Sequence, residues 1–381
     1  MRHHFLGLVL IAFVGAGSAA AQSSQFGIRG LGIPTRPLSP RGVATGGAFG
    51  MFDLESSQNP ASIAGILQFT ALFSSVQNFR TSTNPFGSSS AKDNRFPQIM
   101  VAGPLGGTHF TAAVSMSGYT DRNFSLGTAD TIQLRGAAVG VYDTISSRGG
   151  LSDLRVAGAW QIGKSVQIGV GLHAITGSNR IENRRHFSDS TYAVASEQSQ
   201  LSYLGTGLSA GIVVRVAPRL TVAGTFRTDG HLSVDRDTTR IARTDLPTSY
   251  GVGLRWQPSP NVAWAASYQA KGWSASNRDI VAQGGIGALN AYEVATGFEI
   301  VRNPRLPGQK PLRFGGHYAM LPFPVRAGSQ PHEFGLAVGT GFRFVRGQGG
   351  FDLALERLWR SDGAGYTERA TLLTFGFSIR P

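Results

Sequence analysis

Thr248-Ser249-Tyr250-Gly251-Val252-Gly253-Leu254-Arg255-Trp256-Gln257 decides how this chain is read. Successive side chains of a strand point to opposite sides. Tyr250, Val252, Leu254 and Trp256 therefore share one face, and Ser249, Gly251, Gly253, Arg255 and Gln257 share the other. The turn Pro258-Ser259-Pro260-Asn261 follows, and the pattern returns with Val262, Trp264, Ala266 and Tyr268 opposing Ala263, Ala265, Ser267 and Gln269. Further on, Tyr292, Val294, Thr296, Phe298 and Ile300 oppose Glu293, Ala295, Gly297 and Glu299. Phe334, Leu336, Val338, Phe342 and Phe344 oppose Gly335, Ala337, Gly339, Gly341 and Arg343, and Phe351, Leu353 and Leu355 oppose Asp352, Ala354 and Glu356. A soluble sandwich also has one oily face per strand. Three features point instead to a membrane barrel. The strands run to ~10 residues, the length a tilted bilayer-spanning strand needs. The second face is Gly, Ser, Ala and isolated charges, which suits a polar lumen. Aromatics such as Tyr250, Trp256, Trp264, Tyr268, Tyr292 and Phe344 fall near strand ends, where interfacial girdles sit.

Composition agrees. The 381 residues include 51 glycines, and only 15% are charged. Helical bundles and coiled coils want Ala, Glu, Lys and Leu instead. The absence of cysteine excludes disulfide scaffolds, Cys-ligated zinc and iron–sulfur sites. A net charge of +13 raises the question of nucleic acid, but the arginines are scattered among acids and no basic run or recognition motif exists. Nucleic acid is therefore not an expected partner. Met1-Arg2-His3-His4, an apolar run at 5–14 and Ala19-Ala20-Ala21 before Gln22 read as an export signal over residues 1–21. No later apolar run is long enough for a membrane helix, so any crossing must be made by strands.

The alternation runs from about Leu67 to the end. It predicts strands near 67–78, 95–103, 108–119, 151–162, 165–176, 200–216, 220–230, 247–257, 262–272, 290–301, 312–322, 332–345, 351–361 and 366–380. That is an all-β, antiparallel transmembrane barrel of about 14 strands occupying 67–381, behind a distinct segment at 22–66. Short connections at 104–107, 163–164, 217–219, 258–261 and 346–350 alternate with longer ones at 79–94, 120–150, 177–199, 231–246, 273–289 and 323–331. The 302–311 link is the one longer segment on the short side. Short turns on one side and long loops on the other are the habit of outer-membrane barrels.

Enzyme signatures fare poorly. Gly207-Leu208-Ser209-Ala210-Gly211 matches G-x-S-x-G, but a nucleophile elbow needs strand, sharp turn and helix, and this match lies inside an alternating strand. His109, His173, His186, His231, His317 and His332 include no i, i+4 pair and no H-E-x-x-H, so no metal site is expected. No cofactor is implied. Arg215, Arg227, Arg255 and Arg343 fall on polar strand faces, as do Glu293, Glu299, Asp352 and Glu356. Such charges either pair with one another or meet a ligand. Any of Arg215, Arg255 or Arg343 left without a carboxylate is the expected contact for a polar head group, with the ligand's apolar body against the stretch containing Phe49, Phe52 and Leu54.

Arg41-Gly42-Val43-Ala44-Thr45-Gly46-Gly47-Ala48-Phe49 leads to Asp53 and then to Asn59-Pro60-Ala61-Ser62-Ile63-Ala64-Gly65. Asn59 can cap or turn the chain, and Pro60 fixes φ where it must redirect into a strand. This segment resembles the FadL-type outer-membrane transport family, including its PorV-like members, in which a Gly-Gly-Ala element and an acidic stretch precede Asn-Pro-Ala. The resemblance implies that Gly46, Gly47, Ala48, Asp53, Asn59, Pro60 and Ala61 belong to a hatch inside a fourteen-strand barrel of the bacterial outer membrane. It also implies a kinked third strand, here 108–119, that opens sideways with Gly118 as its weak point. The partners would be outer-membrane lipids and a small hydrophobic substrate diffusing passively past the hatch. Some family members instead serve secretion systems, so a shuttle or scaffold for secreted cargo proteins is the alternative. The stretch Asn179–His186 is polar where fatty-acid transporters carry an apolar groove, while the 124–145 stretch is oilier.

Overall fold

The computed structural model describes residues 24–85, 87–106, 109–237, 239–302 and 310–380. The export signal expected at 1–21, and residues 303–309 of the 302–311 link, lie outside the described residues. Fourteen strands close into one antiparallel barrel. In chain order they are β1 (Thr70–Asn84), β2 (Gly87–Pro104), β3 (Phe110–Asp121), β4 (Ala137–Ile162), β5 (Val166–Phe187), β6 (Ala195–Ala217) and β7 (Leu220–Asp229). Then come β8 (Thr248–Ser259), β9 (Val262–Lys271), β10 (Ala291–Ile300), β11 (Leu312–Met320), β12 (His332–Phe344), β13 (Gly349–Ser361) and β14 (Thr367–Ile379). Each strand pairs with the next, and β14 closes on β1 with Phe377 opposite Phe73. Closure leaves no edge strand, which is the only way a sheet can satisfy its backbone inside lipid.

Tyr250, Val252 and Trp256 stand on the outer wall, 55%, 56% and 48% exposed, so they are not packed between two sheets. Val170, Leu172, Leu336 and Val338 continue this apolar belt. Two aromatic girdles flank it. Toward the long-hairpin end Tyr268, Tyr292, Tyr318 and His332 stack in series with ring centroids 6.5, 6.4 and 6.2 Å apart. Toward the short-turn end Phe298 meets Phe314 at 5.2 Å and Phe342 meets Phe351 at 5.5 Å. Such a surface is stable only in a bilayer. Val338→Arg, a charge in mid-belt, should cost about 2–4 kcal/mol of barrel stability. A urea titration that follows the heat-modifiable gel band checks this, and a shift under 1 kcal/mol would mean that the position does not face lipid.

The long loops expected at 79–94, 120–150, 177–199 and 231–246 are largely strand. β4, β5 and β6 run for 26, 22 and 23 residues, well beyond the span of a bilayer. Phe124–Leu134 pairs with the upper part of β4, and a hairpin of His231–Arg236 and Thr239–Asp245 pairs with β6. Outside the membrane both faces of a ladder can be wet. The hydrogen bonds continue while the apolar alternation fades, so these stretches look like loops in sequence.

Candidate functional site

The segment 24–66 packs inside the barrel. Ala48, Phe49, Met51, Phe52 and Ala61 share an apolar cluster with the inward Val213, Ala223, Ala265 and Ala295. Ile63, Ala64 and Ile66 pack on Leu72, Met100, Ala102, Ala113, Ala157 and Ala159. The segment is built from short capped turns. Helix α1 (Pro40–Ala44) starts at Ser39, whose Oγ accepts from Gly42 N–H at 3.2 Å and itself donates to Asp53. Asn59 caps the 3₁₀ turn Pro60–Gly65: its Oδ1 accepts from Ala61 N–H at 3.0 Å, while its Nδ2 donates to the Met51 carbonyl at 3.1 Å. Pro60 occupies the first position of that turn, where its missing N–H costs nothing.

Inward glycines let this segment touch the wall with its backbone. A Cβ at Gly169 of β5 would lie 2.5 Å from both the Ala61 nitrogen and the Pro60 carbonyl carbon. One at Gly315 of β11 would lie 2.3 Å from the Thr45 carbonyl. Near the chain start, Ile33–Pro34 pairs with Thr120 and Asp121 of β3. There Thr35 Oγ1 donates to the Gly118 carbonyl and Thr35 N–H to the Tyr119 carbonyl at 3.0 Å. β3 slips register against β4 between Gly118 and Thr120. Tyr119 is the extra residue, and its hydroxyl reaches Asp229 at 2.9 Å across the lumen.

Charges bind the segment to the wall. Arg36 pairs with Glu356, and Arg41 forks onto Glu299 at 2.7 and 2.9 Å. Burial opposes the charge on both arginines, yet the surrounding carboxylates, Glu356 and Glu293 for Arg36 and Glu299 and Asp53 for Arg41, push each pKa above the usual range. Arg380 holds Glu55 at 2.8 Å. The wall has its own chain of pairs, Arg313 to Glu299 at 2.7 Å and to Asp352, and Arg343 to Asp352 at 2.9 Å.

Of the three arginines named as head-group contacts, Arg343 is therefore taken by Asp352, as complete internal pairing requires. Arg215 and Arg255 have no carboxylate partner among the described residues. Arg255 lies over the Phe52 ring at 5.8 Å. Both line a cavity of about 750 Å³ at the short-turn end with Phe52 and Leu54. Phe49 is enclosed, 1% exposed, with Arg41 over its ring, and does not line that cavity. Gly46, Gly47, Ala48, Asp53, Asn59, Pro60 and Ala61 all lie in the packed segment, and Asp53 accepts from Ser39 and from Ser56 at 2.8 Å.

On the other side of the segment, toward the long hairpins, lies a chamber of about 360 Å³. Pro34, Thr35 and Arg36 floor it; Val76, Phe96, Leu151, Leu358 and Leu372 supply apolar wall. Gly118, Lys271 and Trp273 also border it. Its polar lining mixes carboxylates (Asp121, Glu293, Glu333 and Glu356) with several donors that lack a hydrogen-bond partner. Trp273 Nε1 and Arg95 Nη2 are buried without a hydrogen bond, Arg80 Nε meets only Glu368 at 3.5 Å, and Lys271 has no hydrogen bond or ion pair among the described residues. Sequence reasoning passed over Lys271, although it is one of four lysines and continues the inward face of Gln269. Trp273 carried no signal, because it follows β9 in a 3₁₀ turn, where strand alternation says nothing.

Ser209 sits in mid-β6 with no elbow, as the strand context requires. The register nevertheless brings it to His173, which the sequence left as a solitary lumen histidine. The two lie 2.8 Å apart, Oγ to Nε2.

Closed, apolar outside and filled by its own N-terminal segment, the molecule is a transmembrane β-barrel of the bacterial outer-membrane kind. No family model matches the chain, and no curated protein matches it in sequence. Solved structures do match, and the fold is that of FadL-type channels. A Pseudomonas aeruginosa FadL homologue aligns at a TM-score of 0.63 over 91% of this chain and 99% of its own, with 13% identity. The Pseudomonas putida toluene transporter TodX aligns at 0.58 over 91% and 99%, with 11% identity. The monoaromatic hydrocarbon channel CymD aligns at 0.57 over 90% and 97%, with 15% identity. The resemblance carried by residues 41–66 thus extends to the fold over 90–91% of the chain.

Proposed function

We propose that this protein passes small hydrophobic molecules through the outer membrane by passive diffusion, with residues 22–66 as a displaceable hatch in a barrel of residues 67–381, after removal of a signal at 1–21. The chamber carries this reading. A cavity of ~150 Å³ accepts benzene, so about 360 Å³ suits a molecule of one or two rings. Its apolar wall favours a hydrocarbon body. Lys271 and Trp273 favour an acceptor or anionic head beside them. Gly118, at the bulge of β3, is the proposed lateral opening. Phe52, Leu54, Arg215 and Arg255 line the proposed exit on the periplasmic side. Toluene transporters and hydrocarbon channels among the structural neighbours support the reading. A cargo shuttle would have no use for an enclosed chamber with an apolar wall.

The test is uptake into proteoliposomes of a monoaromatic hydrocarbon and of its carboxylate analogue. Lys271→Met should weaken carboxylate binding roughly ten- to hundred-fold, the loss of one charge-assisted hydrogen bond of about 1.5–3 kcal/mol, and leave the hydrocarbon nearly unchanged. Equal uptake by empty and loaded vesicles would retire the channel.

A further inference from the structure

The channel reading leaves one polar arrangement unused. Asp153 on β4, His173 on β5 and Ser209 on β6 all point inward and are all buried. Ser209 pairs with Gly171 in the β5–β6 register and His173 pairs with Gly207, so the two polar side chains are diagonal neighbours. Asp153 and His173 stand in the same relation across β4 and β5. The result is a line of three groups. His173 Nδ1 lies 2.9 and 3.0 Å from the two Asp153 oxygens, and Nε2 lies 2.8 Å from Ser209 Oγ. An ionised carboxylate can only accept, so Nδ1 carries the proton. Nε2 then offers its lone pair, and the Ser209 hydroxyl donates to it. That tautomer and order are what turn a serine into a nucleophile. Arg227 donates to Asp153 at 2.6 Å and holds it in place.

The surroundings leave room for a substrate. A Cβ at Gly171 would lie 2.6 Å from Ser209 Oγ and 3.4 Å from His173 Nε2, so this glycine keeps the space beside the hydroxyl free. The aliphatic part of Arg155 lies beside the same position, its Cδ 3.5 Å from it. This arginine is 1% exposed, its Nη1 donates to the Ser57 carbonyl at 2.9 Å and its Nε to Ser115 Oγ at 3.2 Å, but its Nη2 has no partner. Ser209, His173 and Asp153 line a cavity of about 70 Å³, room for an acetyl-sized group. Thr35, Gly118, Lys271 and Trp273 line both this cavity and the larger chamber, so the two are neighbours across these side chains.

We propose that Asp153, His173 and Ser209 form an acyl-transfer centre in the lumen wall that hydrolyses small carboxylic esters reaching it from the chamber. Ser209 Oγ adds to the ester carbonyl carbon while its proton passes to His173 Nε2. Collapse breaks the bond to the alkoxy oxygen, which leaves as the alcohol with that proton. His173 then takes a proton from water, whose oxygen attacks the acyl-serine. The second collapse frees the carboxylic acid and returns the proton to Ser209. Ester and water give acid and alcohol, with no oxidant or further reactant. This activity goes beyond the proposed channel and does not depend on it.

The test uses the full-length barrel folded in detergent. p-Nitrophenyl acetate should give p-nitrophenolate at a rate well above buffer, and diisopropyl fluorophosphate should leave one adduct on the peptide containing Ser209, read by mass spectrometry. Ser209→Ala and His173→Ala should each lower the rate at least a hundredfold and abolish the adduct while the heat-modified gel mobility stays that of the folded barrel. The labelling experiment needs no variant, so it decides the matter even if a substitution prevents folding. A folded chain without adduct at Ser209, or a Ser209→Ala rate equal to the parent's, overturns the proposal. Uptake of a hydrocarbon, measured alongside, fails or succeeds separately.

Discussion

Gly169→Val should unseat the N-terminal segment and raise the conductance of the barrel. The Cβ would meet the Ala61 nitrogen and the Pro60 carbonyl carbon at 2.5 Å, and both are backbone atoms that no side-chain rotation can move aside. Valine adds two further methyls in the same direction. Overpacking of this kind costs about 1–3 kcal/mol, and losing the Asn59 cap adds about 1 kcal/mol. The barrel itself should tolerate the change, because the β5 ladder is made by backbone groups and β-branched residues suit strands. In planar bilayers the expected result is a several-fold rise in conductance with unchanged heat-modified mobility. Gly224→Ala is the control, since its Cβ would meet only Ile212, at 3.4 Å. Parent-like conductance in the Gly169→Val barrel would show that contact with this wall does not hold the segment.

Arg313→Ala should be the costliest single change in the wall. Its guanidinium is nearly enclosed, at 5% side-chain exposure, and bridges Glu299 and Asp352, which are 13% and 5% exposed. Truncation leaves two buried carboxylates served only by Arg41 and Arg343. Breaking a buried pair costs about 3–5 kcal/mol, mostly through the charge left behind. The urea midpoint of the heat-modifiable band should fall accordingly. Adding Asp352→Asn should recover part of the loss, because it removes one stranded charge. A loss below 1 kcal/mol would mean that lumen water screens the pair. Because Glu299 also holds Arg41, the same variant should loosen the N-terminal segment and raise conductance.

The residues whose roles were legible in sequence are those whose surroundings differ between the two faces of one strand. Lipid outside and lumen inside impose a period of two on every membrane-crossing stretch, so Tyr250, Val252 and Trp256 announce their side without any partner being known. Fourteen such stretches with alternating connections suffice for a closed barrel. The Asn59-Pro60 turn was likewise local: an amide that caps and a ring that fixes φ act within three residues. The parts that stayed hidden depend on register and closure. The upper parts of β4, β5 and β6 carry only short, interrupted alternation, such as the buried Val139 and Val141 or Leu201 and Tyr203, set among polar residues. Arg36 meets Glu356 across 320 residues of chain, and nothing local couples them. Whether Arg343 is paired and Arg255 free depends on which acid the neighbouring strand places two residues up or down. The line from Asp153 through His173 to Ser209 exists because three strands lie in one particular register, and a slip of one residue would turn any of the three toward lipid. Period and capping are properties of a few neighbouring residues and belong to the sequence. Pairing across a lumen is a property of shear and closure, which only the folded barrel possesses.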